Sequence, residues 1–334
     1  MATQPVAIWP VLPGEGKDHM KILNYISASV ICSYLFHPGY SQTGPPVRYK
    51  DPVFQTVKEE KNLSYFSDSP ARQNKSYRFD LYQPEPDSVA ARPLIIWMHG
   101  GGFKFGSKRS KSIRLWSKAF ASTGYVCAAI NYRLSKKNPL FNFRELVKSC
   151  SDAVVDVQRA VGFFKKNYVL YRIDTSRIVL AGNSAGGIIA LQAAYSSGAE
   201  LLQLQRRPDS NLITGPYNPG NIGAVVNFWG AIFDLEWLKN GRVPIVSVHG
   251  NKDKIVPIDH KGSSFYGSLA IHARADSLHI PNRLKVYEGY SHELQKHFNP
   301  FFTGRATRQR WQEAGRFAAD FLYEELFLTP GSHL

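Results

Sequence analysis

Arg177-Ile178-Val179-Leu180-Ala181-Gly182-Asn183-Ser184-Ala185-Gly186-Gly187-Ile188-Ile189-Ala190-Leu191 is an apolar run, a glycine-flanked serine and a second apolar run, with no linker between them. The first run is short, continuous and β-branched, as a strand buried on both faces must be. The second has the length and composition of a buried helix. Between them, Gly182-x-Ser184-x-Gly186 lets strand and helix approach closely around a sharp turn that lifts the serine oxygen into the open. The helix opening at Ala185 turns its amino end toward that oxygen, which favours developing negative charge. Gly-x-Ser-x-Gly alone is a weak signal. Set between a strand and a helix, it predicts a nucleophilic serine.

Serine is a poor nucleophile at neutral pH and needs a base, an orienting carboxylate and donors for an oxyanion. Three further strings supply candidates. His99-Gly100-Gly101-Gly102-Phe103 follows the apolar run 94–98. The backbone N–H groups of Gly101 and Gly102, with that of Ala185, are the expected oxyanion donors, because glycines there let a substrate carbonyl approach. His99 reads as a structural side chain. Asp253 lies just past the apolar run 244–249 and is the expected carboxylate, with Asp259 as its competitor. His292 follows the run 283–287 in the turn Glu288-Gly289-Tyr290-Ser291 and is the expected general base. His279 precedes that run, and His297 falls in a later loop. Phe103, Trp229 and Tyr290 are candidates to line an acyl or aromatic subsite.

Apolar runs alternate with helical patterns along the rest of the chain. Strands are expected at 54–65, 77–82, 94–98, 125–130, 177–181, 225–229, 244–249 and 283–287. Helices are expected at 107–122, 145–166, 185–196 and 305–326. This alternation predicts an α/β fold, with a mostly parallel central sheet covered by helices on both faces. Every motif then falls at the carboxyl end of a strand, where open α/β sheets bind ligands.

With these residues in place, the chain resembles the α/β-hydrolase superfamily, specifically the hormone-sensitive-lipase-like carboxylesterases and the related bacterial acetyl and feruloyl esterases. The resemblance spans about residues 77–326 and includes Asn131-Tyr132-Arg133-Leu134. It implies an α/β-hydrolase fold in a single domain over 42–334. It also implies Ser184, Asp253 and His292 as a triad acting through an acyl-enzyme on acetyl, feruloyl or short-chain acyl esters, free or linked to polysaccharide. Asn183 departs from the pattern, since hormone-sensitive-lipase relatives usually carry Asp there. The strand-like segment 42–76 is too short for a large helical cap, so little or no separate cap is expected. A prolyl-oligopeptidase-like peptidase shares the order Ser…Asp…His, but usually uses a tyrosine hydroxyl in its oxyanion hole and often adds a propeller domain. A hydrolase-fold binding protein without activity is the other alternative, and an intact set of catalytic side chains stands against it.

Composition narrows the remaining classes. The 334 residues carry 41 Lys and Arg against 26 Asp and Glu, a formal net charge of +15. The basic residues are scattered through ordinary helical segments, with no zinc spacing or basic-aromatic groove motif. They read as a solvated surface, and no nucleic-acid partner is expected. No clustered Cys/His set or HExxH suggests a metal, and no dinucleotide fingerprint is present, so no cofactor is expected. Cys127 and Cys150 read as buried thiols, with a single bridge between them open. Residues 22–36 form an uncharged run after Met20-Lys21 and end near Gly39-Tyr40-Ser41. That pattern predicts a secretory leader within 1–41 that starts at Met20, and hence a secreted or periplasmic enzyme. The run is too short for a stable membrane span.

Overall fold

The computed structural model describes residues 45–66, 74–205, 222–260 and 264–329. The expected leader, with Cys32, and residues 206–221 of the insertion after the nucleophile helix lie outside the described residues. The described strands are β1 (Thr56–Ser64), β2 (Arg78–Glu85), β3 (Arg92–Met98), β4 (Val126–Ile130), β5 (Ile173–Asn183), β6 (Ile222–Phe228), β7 (Ile245–Gly250) and β8 (Asn282–Tyr287). They form one sheet in the order β1-β2-β4-β3-β5-β6-β7-β8. β1 pairs antiparallel with β2, and β2 antiparallel with β4, while every other neighbouring pair is parallel. The mostly parallel sheet expected from the sequence is therefore present.

The helices are α1 (Lys111–Thr123), α2 (Phe143–Lys166), α3 (Tyr168–Tyr171), α4 (Ala185–Tyr195), α5 (Gly198–Gln205), α6 (Ser268–Ser277) and α7 (Arg305–Tyr323). Strand β3 illustrates why they cover both faces. Leu94, Ile96 and Met98 enter one apolar cluster with α2, α4 and α6, while Ile95 and Trp97 enter a second with α1 and α7. This period-two alternation, with every residue buried, is what a central strand between two helical layers requires. Trp97 stacks on Trp116 of α1 at 5.4 Å between centroids. Each such side chain taken from water contributes roughly 1.5–3 kcal/mol.

The sheet order also fixes where a ligand can enter. From β3 the chain crosses by α1 to β4 on one side, then by α2 to β5 on the other. The strand order reverses between β3 and β5, whose ends meet with Met98 paired to Gly182. A crevice outside the carboxyl ends at such a switch point is the usual ligand site of open α/β sheets.

Some elements differ from expectation. Helix α6 was not anticipated, because its buried positions include Ser268 and His272 beside Ile271 and Ala275, which blurs the apolar period. Helix α7 ends at Tyr323 and passes into a π-helical turn over Glu324–Leu328. Cys127 and Cys150 are free and buried in clusters on opposite sides of the sheet, so no bridge joins them. Among the described residues before β2 there is β1 and a short 3-10 turn (Lys75–Tyr77) but no α-helix. No helix of the described residues is long and apolar enough to cross a membrane.

Candidate active site

Ser184 sits between β5 and α4 with φ 52° and ψ −120°, a left-handed backbone that few non-glycine residues adopt. The surrounding glycines make the turn possible. A Cβ on Gly186 would fall 2.1 Å from the Met98 carbonyl oxygen, and one on Gly182 would fall 2.4 Å from the Gly186 carbonyl carbon. Strand β3 and the start of α4 are thus in backbone contact, and any side chain would separate them.

The side chains of Ser184, His292 and Asp253 meet although 108 and 39 residues separate consecutive members. Ser184 Oγ lies 2.9 Å from His292 Nε2, and His292 Nδ1 lies 2.7 Å from Asp253 Oδ2. Asp253 Oδ1 accepts the N–H groups of Ile255 (2.9 Å) and Val256 (3.0 Å), which fixes its plane. Burial alone would raise the carboxyl pKa of Asp253. Hydrogen bonds from His249 and His292 outweigh that and hold it well below the usual carboxylate range. The aspartate is therefore charged, and its partner Nδ1 carries a proton. His292 Nε2 is left to accept from the serine hydroxyl. Asp259, the competing carboxylate, is not the one bonded to His292.

Gly250, at the end of β7, lets the two loops converge. A Cβ there would lie 2.4 Å from the Tyr290 carbonyl oxygen, and Lys252 N–H donates to that same oxygen at 2.8 Å.

The glycine loop closes the other side of the serine. Gly101, Gly102 and Phe103 follow one another with φ of 118°, 59° and 61°. A Cβ on Gly100 would lie 3.3 Å from Ser184 Cβ, so the loop touches the serine itself. Gly100 N–H donates to Asn183 Oδ1 at 3.2 Å, tying the two motifs together with an amide where an aspartate was the usual expectation. His99 is a structural side chain. Its ring stacks on Tyr132 at 4.4 Å, its Nδ1 donates to Gly100 O at 2.7 Å, and Tyr132 donates its hydroxyl to His99 O at 2.7 Å. Burial lowers the His99 pKa to about 4. Among the described residues nothing accepts from the N–H groups of Gly101, Gly102 or Ala185.

The aromatic candidates separate. Phe103 and Trp229 are fully buried, each in one of the two core clusters, so they are wall residues and present no surface to a ligand. Their neighbours in sequence gave no sign of this, since both follow strand ends. Tyr290 is partly exposed beneath the Arg310 guanidinium, 4.3 Å from its ring centroid.

A further buried set escaped sequence reasoning. His249 Nε2 lies 2.9 Å from Val256 O and 3.4 Å from Asp253 Oδ2, while its Nδ1 meets Ser268 Oγ at 2.8 Å. Asn227 Nδ2 donates to Ser268 Oγ at 3.3 Å. Ser268 belongs to the unanticipated helix α6, so no sequence signal linked it to Asp253. No group of three or more His, Cys, Asp or Glu side chains among the described residues could hold a metal ion.

Solved structures that align with this chain include a Thermogutta terrifontis thermophilic esterase, Est2 (TM-score 0.55, 21% identity, covering 85% of this chain and 98% of that one). A truncated carbohydrate esterase from gut microbiota aligns with TM-score 0.52 and 20% identity over 80% of this chain and 96% of that one. The chain carries the α/β-hydrolase fold. The BD-FAE family model matches residues 79–242 of this hydrolase fold, which include the glycine loop and Ser184 but stop short of Asp253 and His292. Among curated proteins, the probable carboxylic ester hydrolase LipM of Mycobacterium tuberculosis is 27% identical over 159 residues, 47% of this chain and 33% of its own length. The probable carboxylesterase 6 of Arabidopsis thaliana is 35% identical over 122 residues, 34% of this chain and 33% of its own. The matched stretches thus span about a third of these relatives' lengths.

Proposed function

We propose that the protein is a serine carboxylic-ester hydrolase that works through an acyl-enzyme. The observation that carries this reading is the hydrogen-bonded line Ser184 Oγ, His292, Asp253. Ser184 Oγ attacks the ester carbonyl as its proton passes to His292 Nε2. The oxyanion is met by the N–H groups of Gly101, Gly102 and Ala185. One such donor is worth about 2.7–4 kcal/mol in the transition state. Asp253 stabilises the imidazolium and holds its tautomer. His292 then hands the proton to the departing alcohol, and water, deprotonated by the same nitrogen, releases the acid.

The rim supports an apolar acyl group of modest size, in the class of acetyl, feruloyl or short-chain acyl esters. Leu140 lies against the oxyanion loop, since a Cβ on Gly102 would fall 2.9 Å from its Cδ1. Phe105 and Phe141, close by in sequence, are 68% and 92% exposed. The esterase relatives and structural neighbours named above support the same class of bond.

Steady-state hydrolysis of p-nitrophenyl acetate, compared with aminoacyl-proline amides, tests the reading. Ester turnover abolished by Ser184→Ala is expected. Amide preference would favour a peptidase, and no turnover of either would favour a binding role.

A further inference from the structure

Phe298 stands edge-on to the His292 ring, 5.1 Å between centroids, and also lines an open cavity of about 540 Å³. That is within the size range of small-molecule sites. Residues 295–299, which directly follow the histidine turn, form one wall of the cavity. The start of α7 forms another, with Thr307 and Arg310. Among the described residues no carboxylate lines this space. The sequence holds no Asp or Glu from 294 to 312, yet holds Lys296, His297, Arg305, Arg308 and Arg310 there.

Arg310 is held in place without being neutralised. Its Nε donates to Leu294 O at 2.7 Å and one terminal nitrogen to Thr307 Oγ1 at 3.0 Å, and the guanidinium lies over the Tyr290 ring. Among the described residues neither Arg310 nor Lys296 pairs with a carboxylate. A fixed guanidinium with donors to spare, lining the same cavity as a lysine and paired with no carboxylate among the described residues, is suited to binding an anion.

The position of the cavity says which end of a substrate it would take. His292 must deliver a proton to the departing alkoxide, so the alcohol part of an ester leaves on the histidine side of the scissile bond. Leu140 stands by the oxyanion loop. The basic cavity meets the base through Phe298.

Resting on the ester-hydrolase reading, we propose that this cavity is the alcohol-side subsite and selects esters whose leaving alcohol carries an ionised carboxylate. The substrate class is acyl esters of hydroxy acids.

The test compares kcat/KM for 4-acetoxybenzoate and the neutral 4-acetoxybenzamide, each divided by its hydroxide-catalysed rate. The enzyme is expected to favour the anionic ester by about tenfold, mostly through KM, the scale of one charge-assisted hydrogen bond. The preference should shrink with added salt. The double variant Lys296→Gln, Arg310→Gln should bring the ratio near one, while Lys166→Gln, at the exposed end of α2, should keep it. A wild-type ratio at or below one, or a ratio untouched in the double variant, overturns the proposal. If neither ester is turned over, the hydrolase reading itself fails. Calorimetric binding of 4-hydroxybenzoate then decides the cavity separately: binding lost in the double variant supports an anion site, and no binding to wild type overturns it.

Discussion

His249 Nε2 lies 3.4 Å from Asp253 Oδ2, the same oxygen that receives the His292 Nδ1 proton at 2.7 Å. The carboxylate is thus held between two imidazoles, and two backbone N–H groups occupy its other oxygen. Because the Nε2 of His249 also faces the Val256 carbonyl, that nitrogen carries a proton, while Nδ1 meets Ser268 Oγ. His249 acts through Asp253 and touches no reacting atom. Replacing His249 with Leu should lower kcat about tenfold with KM little changed, since one polar contact to the buried carboxylate is lost. The acid limb of the pH–rate profile should move with it. A KM effect with an unmoved profile would make the role merely structural.

Asp253→Asn keeps the shape and removes the charge. An amide that donates to Nδ1 forces the wrong imidazole tautomer, and kcat for p-nitrophenyl acetate should fall by about 10⁴. A loss below tenfold would mean that another carboxylate orients the base.

Much of this was legible because backbone demands leave local marks. The turn at Ser184 needs glycine at 182 and 186, and a fully buried strand needs an unbroken apolar run, so 177–191 disclosed the fold class and the place of the serine turn. Ser268 and His249 left no such mark. Their partnership exists only once α6 packs against β7, and buried polar residues on that helix disguise its period. Phe103 and Trp229 were ambiguous for the same reason. An aromatic residue after a strand end can face a pocket or the core, and both fill the core.

Acid should weaken the fold in a defined window. Burial lowers the pKa of His99 to about 4, against a bond to Gly100 O. Burial does the same to His272, also to about 4, against a bond to Asn282 and the charge of Asp276. Both histidines are neutral in the folded state and protonate near 6.5 when unfolded. Between those values the unfolded chain binds more protons, so stability is full above about pH 6.5 and declines as pH falls toward 4. The loss is on the order of 2 kcal/mol per histidine by pH 5. Thermal midpoints should drop by several degrees from pH 7 to 5. A flat profile would contradict buried neutral rings.

Two glycine substitutions should behave oppositely. Gly186→Ala would drive a methyl into the Met98 carbonyl at 2.1 Å, separating β3 from α4, and soluble folded protein should be lost or severely destabilised. Gly162 lies within α2, where an added Cβ meets nothing within 4 Å. Gly162→Ala should therefore stabilise the protein by up to about 1 kcal/mol in urea unfolding. Equal effects at the two sites would contradict the close approach at the serine turn.

The most direct measurement is covalent labelling with an organophosphate, followed by peptide mass spectrometry. A single phosphoryl adduct on Ser184 is expected, absent in Ser184→Ala and strongly slowed in His292→Ala, with far-UV circular dichroism unchanged in both variants. An adduct on another residue, or equal labelling of the Ser184→Ala protein, would contradict the assignment of the nucleophile.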